Sequence, residues 1–121
     1  MKITRVAGAL GAVVEGVTLT DPSTDFAEIR RLLLEHEVLF FREQYLTPEQ
    51  QIDFARRFGE PSVSPVARLL GATEPTPTVI VDTPDNPNLA DVWHTDVTWT
   101  ATPPMAAILC MELIPEFGGD T

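Results

Sequence analysis

Trp93-His94-Thr95-Asp96-Val97-Thr98-Trp99 sets an imidazole and a carboxylate two positions apart within a β-rich sequence. In a strand, residues i and i+2 point to the same face, so His94 and Asp96 are expected side by side, their Cβ atoms roughly 6.5–7 Å apart. One metal ion can bridge that gap. An imidazole nitrogen and a carboxylate oxygen are two of the three donors of the facial triad that holds non-haem Fe(II). The spacing alone also suits a strand whose His and Asp bond to each other or to water. The surrounding chain has to decide.

Working outward, the chain of 121 residues has the length of one small domain, with 44% apolar residues, 11 Pro and 7 Gly. That many breakers among apolar runs points to a β-rich fold with irregular connections and flanking helices. The formal net charge of −10 excludes nucleic acid and anionic membrane surfaces as partners, because both need clustered Lys and Arg. The pairs Arg30-Arg31 and Arg56-Arg57 fall within expected helices and read as solvated faces. Cys110 is the one cysteine, so no internal disulfide exists. Its setting in Met105–Met111 is that of a small buried hydrophobe. No apolar run reaches the ~20 residues of a membrane span. Lys2 and Arg5 before Val6–Val14 imitate a signal peptide, but Gly8, Gly11 and Glu15 break the apolar core, and the reading is cytoplasmic.

Short strands are expected at Ile3–Val6 and Ala12–Leu19, then a helix after Asp21-Pro22-Ser23 with Phe26, Ile29, Leu32 and Leu33 at helical spacing. His36 at its end reads as a surface or capping residue facing the negative helix terminus. Val38–Phe41 reads as a compact buried strand. Thr47, Pro48 and Gln50 spell a capping box for a second helix, with Ile52, Ala55 and Phe58 inward and Gly59 as the stop. Residues 61–77, with four prolines, read as irregular. Strands are expected again at Thr78–Asp82, at the His94 segment and at Met105–Leu113, the last buried on both faces. Thr83–Asp91 reads as a loop, and Gly118-Gly119 as a turn.

The ordered series Phe40-Phe41-Arg42-Glu43-Gln44, Leu46-Thr47-Pro48-Glu49-Gln50-Gln51, Phe58-Gly59-Glu60, Trp93-His94-Thr95-Asp96-Val97-Thr98, Thr102-Pro103-Pro104 and Gly118-Gly119-Asp120-Thr121 closely resembles the taurine dioxygenase-like family of Fe(II)- and 2-oxoglutarate-dependent oxygenases. The resemblance runs from Ile3 to Thr121. It implies a double-stranded β-helix, or jelly roll, with helices outside. By that resemblance residues 1–121 are the N-terminal part of a single catalytic domain, so the jelly roll is incomplete here. His94 and Asp96 match the proximal His and the carboxylate that ligate Fe(II). Thr121 matches the threonine whose hydroxyl helps hold 2-oxoglutarate. The distal His and the 2-oxoglutarate-binding Arg of the family lie further downstream than Thr121. Without them this chain alone is expected to be inactive.

The substrate end departs from the taurine-using pattern. Where those members carry an H-P-V-Y run, this chain has Ser64-Pro65-Val66-Ala67, and their Asn before the WH pair is missing from Ala90-Asp91-Val92. Ser64, Val66, Ala67 and Val92 thus mark the substrate region, which should be more apolar. The resemblance implies a small-molecule substrate, with O2, hydroxylated while 2-oxoglutarate becomes succinate and CO2. A sulfonate other than taurine, a sulfate ester or a carboxylate fits best. Homo-oligomerisation is compatible with the reading. The competing readings are a β-helix binding module that has lost its metal and a fragment with no activity of its own.

Overall fold

The computed structural model describes residues 1–83, 85 and 93–117. Its elements run β1 (Lys2–Arg5), β2 (Ala12–Glu15), α1 (Phe26–His36), β3 (Leu39–Phe40), α2 (Pro48–Arg56) and α3 (Pro65–Leu69). The three strands form one sheet in the order β1-β2-β3. β1 pairs antiparallel with β2, from Lys2 opposite Glu15 to Arg5 opposite Ala12. β2 pairs parallel with β3, Ala12 opposite Leu39 and Val13 opposite Phe40. A parallel pair cannot be closed by a tight turn, and α1 supplies the crossover. The described residues are therefore a small sheet with helices, a coarser architecture than the jelly roll expected.

The β1–β2 connection closes on Gly11. Its φ is +91°, and a Cβ there would meet Val6 Cβ at 3.4 Å and Phe40 Cε2 at 3.6 Å. Those are ordinary contacts, and it is the left-handed φ that calls for glycine. The Gly11 N–H donates to the His36 carbonyl at 2.8 Å, joining the hairpin to the end of α1.

Helix α1 begins one step later than Asp21-Pro22-Ser23 suggests. Asp21 instead accepts from Ser23 N–H and Oγ at 2.8 and 2.7 Å, a local turn, and Asp25 is the N-cap, accepting from Glu28 N–H. The buried stripe is Ile29, Leu32 and His36. His36 is thus 6% exposed, not a surface residue. The correction has a simple cause: positions 29, 32 and 36 repeat at helical spacing, so the core-facing stripe extends through the imidazole.

Helix α2 has the expected start. Thr47 Oγ1 accepts from Gln50 N–H while Gln50 Oε1 accepts from Thr47 N–H. Its inner face is rotated from the expected one: Phe54 is the buried residue, at 5% exposure, with Phe58 packed beside it. Phe54 meets Phe26, Phe41 and Phe58 edge-on, at centroid distances of 6.2, 6.3 and 5.4 Å. With Leu19 and Ile29 it forms the core, against which Val17, Leu39, Leu46 and Ile108 pack. Gln51, on the same face, sends its amide to the Ile108 carbonyl at 2.8 Å. That bond ties the distant apolar segment to α2.

Three expected strands are not among the described elements: Thr78–Asp82, the described part of the His94 segment and Met105–Leu113 carry no strand, although their composition is strand-like. Val38–Phe41 contracts to two paired residues, with Val38 and Phe40 about two-fifths exposed. Outside Ile108 the run 105–113 is exposed, Cys110 included. Residues 61–77, read as irregular, contain α3. Among the described residues no helix is long and apolar enough to cross a membrane.

Candidate metal centre

His94 lies in an irregular stretch that runs into a turn over residues 96–99, where Asp96 sits. Although no strand aligns them, their side chains converge: His94 Nε2 stands 3.4 Å from Asp96 Oδ1, and both are substantially exposed. The separation exceeds the roughly 2.7–3.2 Å of a good N–H···O hydrogen bond. Two donors bound to one ion at about 2.1 Å are roughly 3.0–3.4 Å apart for bond angles between octahedral and tetrahedral. The separation is that of a long His–Asp ion pair and equally that of adjacent ligands on one ion, and the donor set of imidazole nitrogen and carboxylate oxygen is of a kind that suits Fe(II). Among the described residues no group of three or more His, Cys, Asp or Glu side chains is gathered.

The turn after Asp96 is locally tied. Thr95 and Thr98 hydroxyls lie 3.2 Å apart. Thr100 donates to the Val97 carbonyl twice, from its N–H at 3.2 Å and from Oγ1 at 2.9 Å. Val97 sits at φ +57°, in the left-handed region. Trp93 and Trp99 flank the pair, and both are exposed.

The substrate-region residues fall elsewhere. Ser64 caps α3: its Oγ accepts from Ala67 N–H at 3.0 Å, and its carbonyl accepts from Arg68 N–H at 2.9 Å. Its hydroxyl oxygen accepts within its own helix, which leaves the O–H able to donate. Ala67 is half-buried, and Val66 follows Pro65 in the first turn. Val92, Thr121, the turn at Gly118-Gly119 and most of the loop 83–91 lie outside the described residues. Sequence reasoning passed over Thr100 and Val97. A β-branched residue directly after the candidate carboxylate, followed by threonines, was the available signal.

The Cys110 thiol has no activating surroundings. Partial desolvation, and then the neighbouring Glu112 carboxylate, raise its thiol above the usual cysteine range. Less thiolate at neutral pH means a less reactive sulfur.

Comparison with known proteins agrees with the motif reading. The family described as "Taurine catabolism dioxygenase TauD, TfdA family" matches residues 2–121. An alkylsulfatase of Acinetobacter baylyi is 36% identical across 100% of this chain and 38% of its own. An alpha-ketoglutarate-dependent sulfate ester dioxygenase of Pseudomonas putida is 37% identical, over 96% of this chain and 38% of its own. This chain therefore spans about two-fifths of the length of those relatives. A crystal structure of a taurine dioxygenase from Burkholderia xenovorans is 44% identical over 52% of this chain and 23% of its own, with a TM-score of 0.48. With its candidate ligand pair inside a match that spans residues 2–121, the chain belongs to the taurine catabolism dioxygenase (TauD, TfdA) family.

Proposed function

We propose that the full-length protein carrying this chain is an Fe(II)- and 2-oxoglutarate-dependent dioxygenase with a jelly-roll catalytic domain, of which residues 1–121 are the N-terminal part. In this reading His94 and Asp96 are two of its three metal ligands, and Thr121 helps hold 2-oxoglutarate. The observation that carries it is the approach of His94 Nε2 to within 3.4 Å of Asp96 Oδ1 in a chain matched to this family from residue 2 to 121. Bound iron with 2-oxoglutarate would supply the oxidising chemistry, with succinate and CO2 as co-products. The chain's own residues do the placing. The Asp96 carboxylate would offset part of the ion's charge, and the His94 imidazole would add a directional nitrogen donor. The protein is read as cytoplasmic.

The substrate is an organic anion, a sulfate ester before a small zwitterion such as taurine. Support comes from the alkylsulfatase and sulfate ester dioxygenase among its relatives and from the region around α3. There Ala67 has no side-chain donor, and Ser64, whose oxygen accepts from Ala67 N–H, offers only a short hydroxyl in place of a longer donor. One absent hydrogen bond to a charged group, worth about 1.5–3 kcal/mol, lowers kcat/KM for taurine about ten- to hundredfold. The test is succinate release by the full-length protein across alkyl sulfates, alkyl sulfonates, aryloxy carboxylates and taurine. A sulfate ester should lead the panel. Taurine as the best substrate would overturn the substrate reading, and no succinate with any of them would overturn the activity.

A further inference from the structure

Several cationic side chains of this acidic chain are already engaged. Lys2 pairs with Glu15, Arg31 with Glu28 and Glu35, and Arg56 with Asp53. Arg57 donates to the Thr24 carbonyl and lies over the Phe26 ring. The guanidinium groups of Arg5, Arg30, Arg42 and Arg68 have no such partner among the described residues, and Arg68 is set apart from the other three by what stands beside it. Its N–H donates to the Ser64 carbonyl at 2.9 Å, which puts the two residues one helical turn apart. Residues four apart share a face, and helical side chains lean toward the N-terminus, so the Arg68 stem leads back toward Ser64. The Ser64 oxygen accepts from Ala67 N–H at 3.0 Å, and its O–H stays able to donate. Both residues are exposed. A permanently charged fork and a hydroxyl donor thus share one side of α3, with no carboxylate paired to either among the described residues. Directly beyond them Leu69 and Leu70 are 87% and 84% exposed.

We propose that Arg68 is a specificity-determining residue: its guanidinium, together with the Ser64 hydroxyl, binds the sulfate group of an alkyl sulfate monoester whose chain lies along Leu69 and Leu70. The inference rests on the reading of the region around α3 as the substrate region, and it deepens that reading by naming the residue that takes the anion. The chemistry of the donors favours this class of ligand. A sulfate monoester spreads its charge over three terminal oxygens, so a planar fork can hold two while a hydroxyl reaches the third. The adjoining leucines offer the apolar surface that an alkyl chain needs. Taurine brings the same oxygens, but its ammonium group has to keep its water, so it gains nothing from Leu69 and Leu70.

The test is an anaerobic calorimetric titration of hexyl sulfate into the full-length protein loaded with Fe(II) and 2-oxoglutarate, which needs no turnover. Arg68→Met removes the charge and keeps the apolar stem. It should weaken hexyl sulfate binding at least tenfold, the effect of losing a hydrogen bond to a charged group, while 2-oxoglutarate affinity stays within twofold of wild type. Arg68→Lys keeps the charge without the planar fork and should fall between the two. Ser64→Ala should weaken binding by a smaller factor than Arg68→Met, because a hydroxyl is a single uncharged donor. Wild-type affinity for hexyl sulfate in Arg68→Met, or an equal loss of 2-oxoglutarate affinity, would overturn the inference while leaving the sulfate ester reading intact. A wild-type protein that binds taurine but no hexyl sulfate would overturn the substrate reading and this inference with it. Should Arg68→Met fail to fold, Arg68→Lys alone decides. Hexyl sulfate binding at least threefold weaker than wild type supports the proposal, and a smaller change refutes it.

Discussion

Replacing Phe54 by alanine should be the most damaging single truncation in the hydrophobic core of this chain. The ring is 5% exposed and meets Phe26, Phe41 and Phe58 edge-on. Loss of a buried Phe with the cavity it leaves typically costs about 3–5 kcal/mol. Three edge-to-face pairs at roughly 0.5–1.5 kcal/mol each lie within that range and are not added to it. Phe26 and Phe58 also touch each other, with centroids 4.5 Å apart, so part of the cluster can close over the gap. The expected loss is therefore about 3–4 kcal/mol, from a total that for natural domains is about 5–15 kcal/mol. The control is Phe40→Ala. That ring is 41% exposed, and its removal should cost less than about 1.5 kcal/mol. Urea unfolding of the full-length protein and both variants measures the difference. At an m of roughly 2 kcal/mol per M, Phe54→Ala lowers the midpoint by about 1.5–2 M and Phe40→Ala by less than about 0.8 M. Equal midpoints for the two variants at unchanged m would refute the assignment of the core to this aromatic cluster.

Other predictions follow from single contacts. Thr47→Ala removes one half of the capping box that starts α2 and should lower stability by about 1 kcal/mol, read by the same urea titration. Cys110, although exposed, should be alkylated by iodoacetamide more slowly than a free cysteine at pH 7.5, because partial burial and then Glu112 disfavour its thiolate. Faster labelling than the free amino acid would contradict that environment. Hydrogen bonds from the Ser23 hydroxyl and then its N–H lower the Asp21 pKa below 3.8. A depressed carboxylate stabilises the fold above its unfolded pKa, and that contribution fades as pH falls through the folded one. Ser23→Ala should accordingly move the Asp21 titration upward in carboxyl-resolved NMR, and an unmoved titration would show that the turn does not form.

What could be read from residues alone divides along a physical line. Local codes were legible. Thr47, Pro48 and Gln50 announce the start of α2, and the spacing of Phe26, Ile29 and Leu32 announces α1, because caps and helical stripes are decided within a few residues. Faces were harder. Phe54 and His36 were missed as inward residues, since an apolar Ile52 and a polar His36 draw the eye to the wrong side of a helix. Burial is set by the neighbours, not by residue type alone. Gln51 is a related case, a polar residue on the inner face because its amide reaches the Ile108 carbonyl. The apolar and alternating runs at Thr78–Asp82, around His94 and at Met105–Leu113 have strand-like composition. Strands, however, are made by partners, and register and pairing are not written in a single run. The candidate ligand pair was legible as a motif, whereas the left-handed Val97 and the grip of Thr100 are properties of the folded turn.

The central claim is that His94 and Asp96 are cis ligands to one Fe(II) that also takes 2-oxoglutarate. The most direct measurement is an anaerobic Fe(II) titration of the full-length protein in the presence of 2-oxoglutarate, followed through the weak visible charge-transfer band of the chelate and repeated for His94→Ala and Asp96→Ala. The wild type should develop the band to one iron per chain, and each variant should lose it while keeping its circular dichroism spectrum. A band of undiminished amplitude and affinity in Asp96→Ala would contradict the ligand pair.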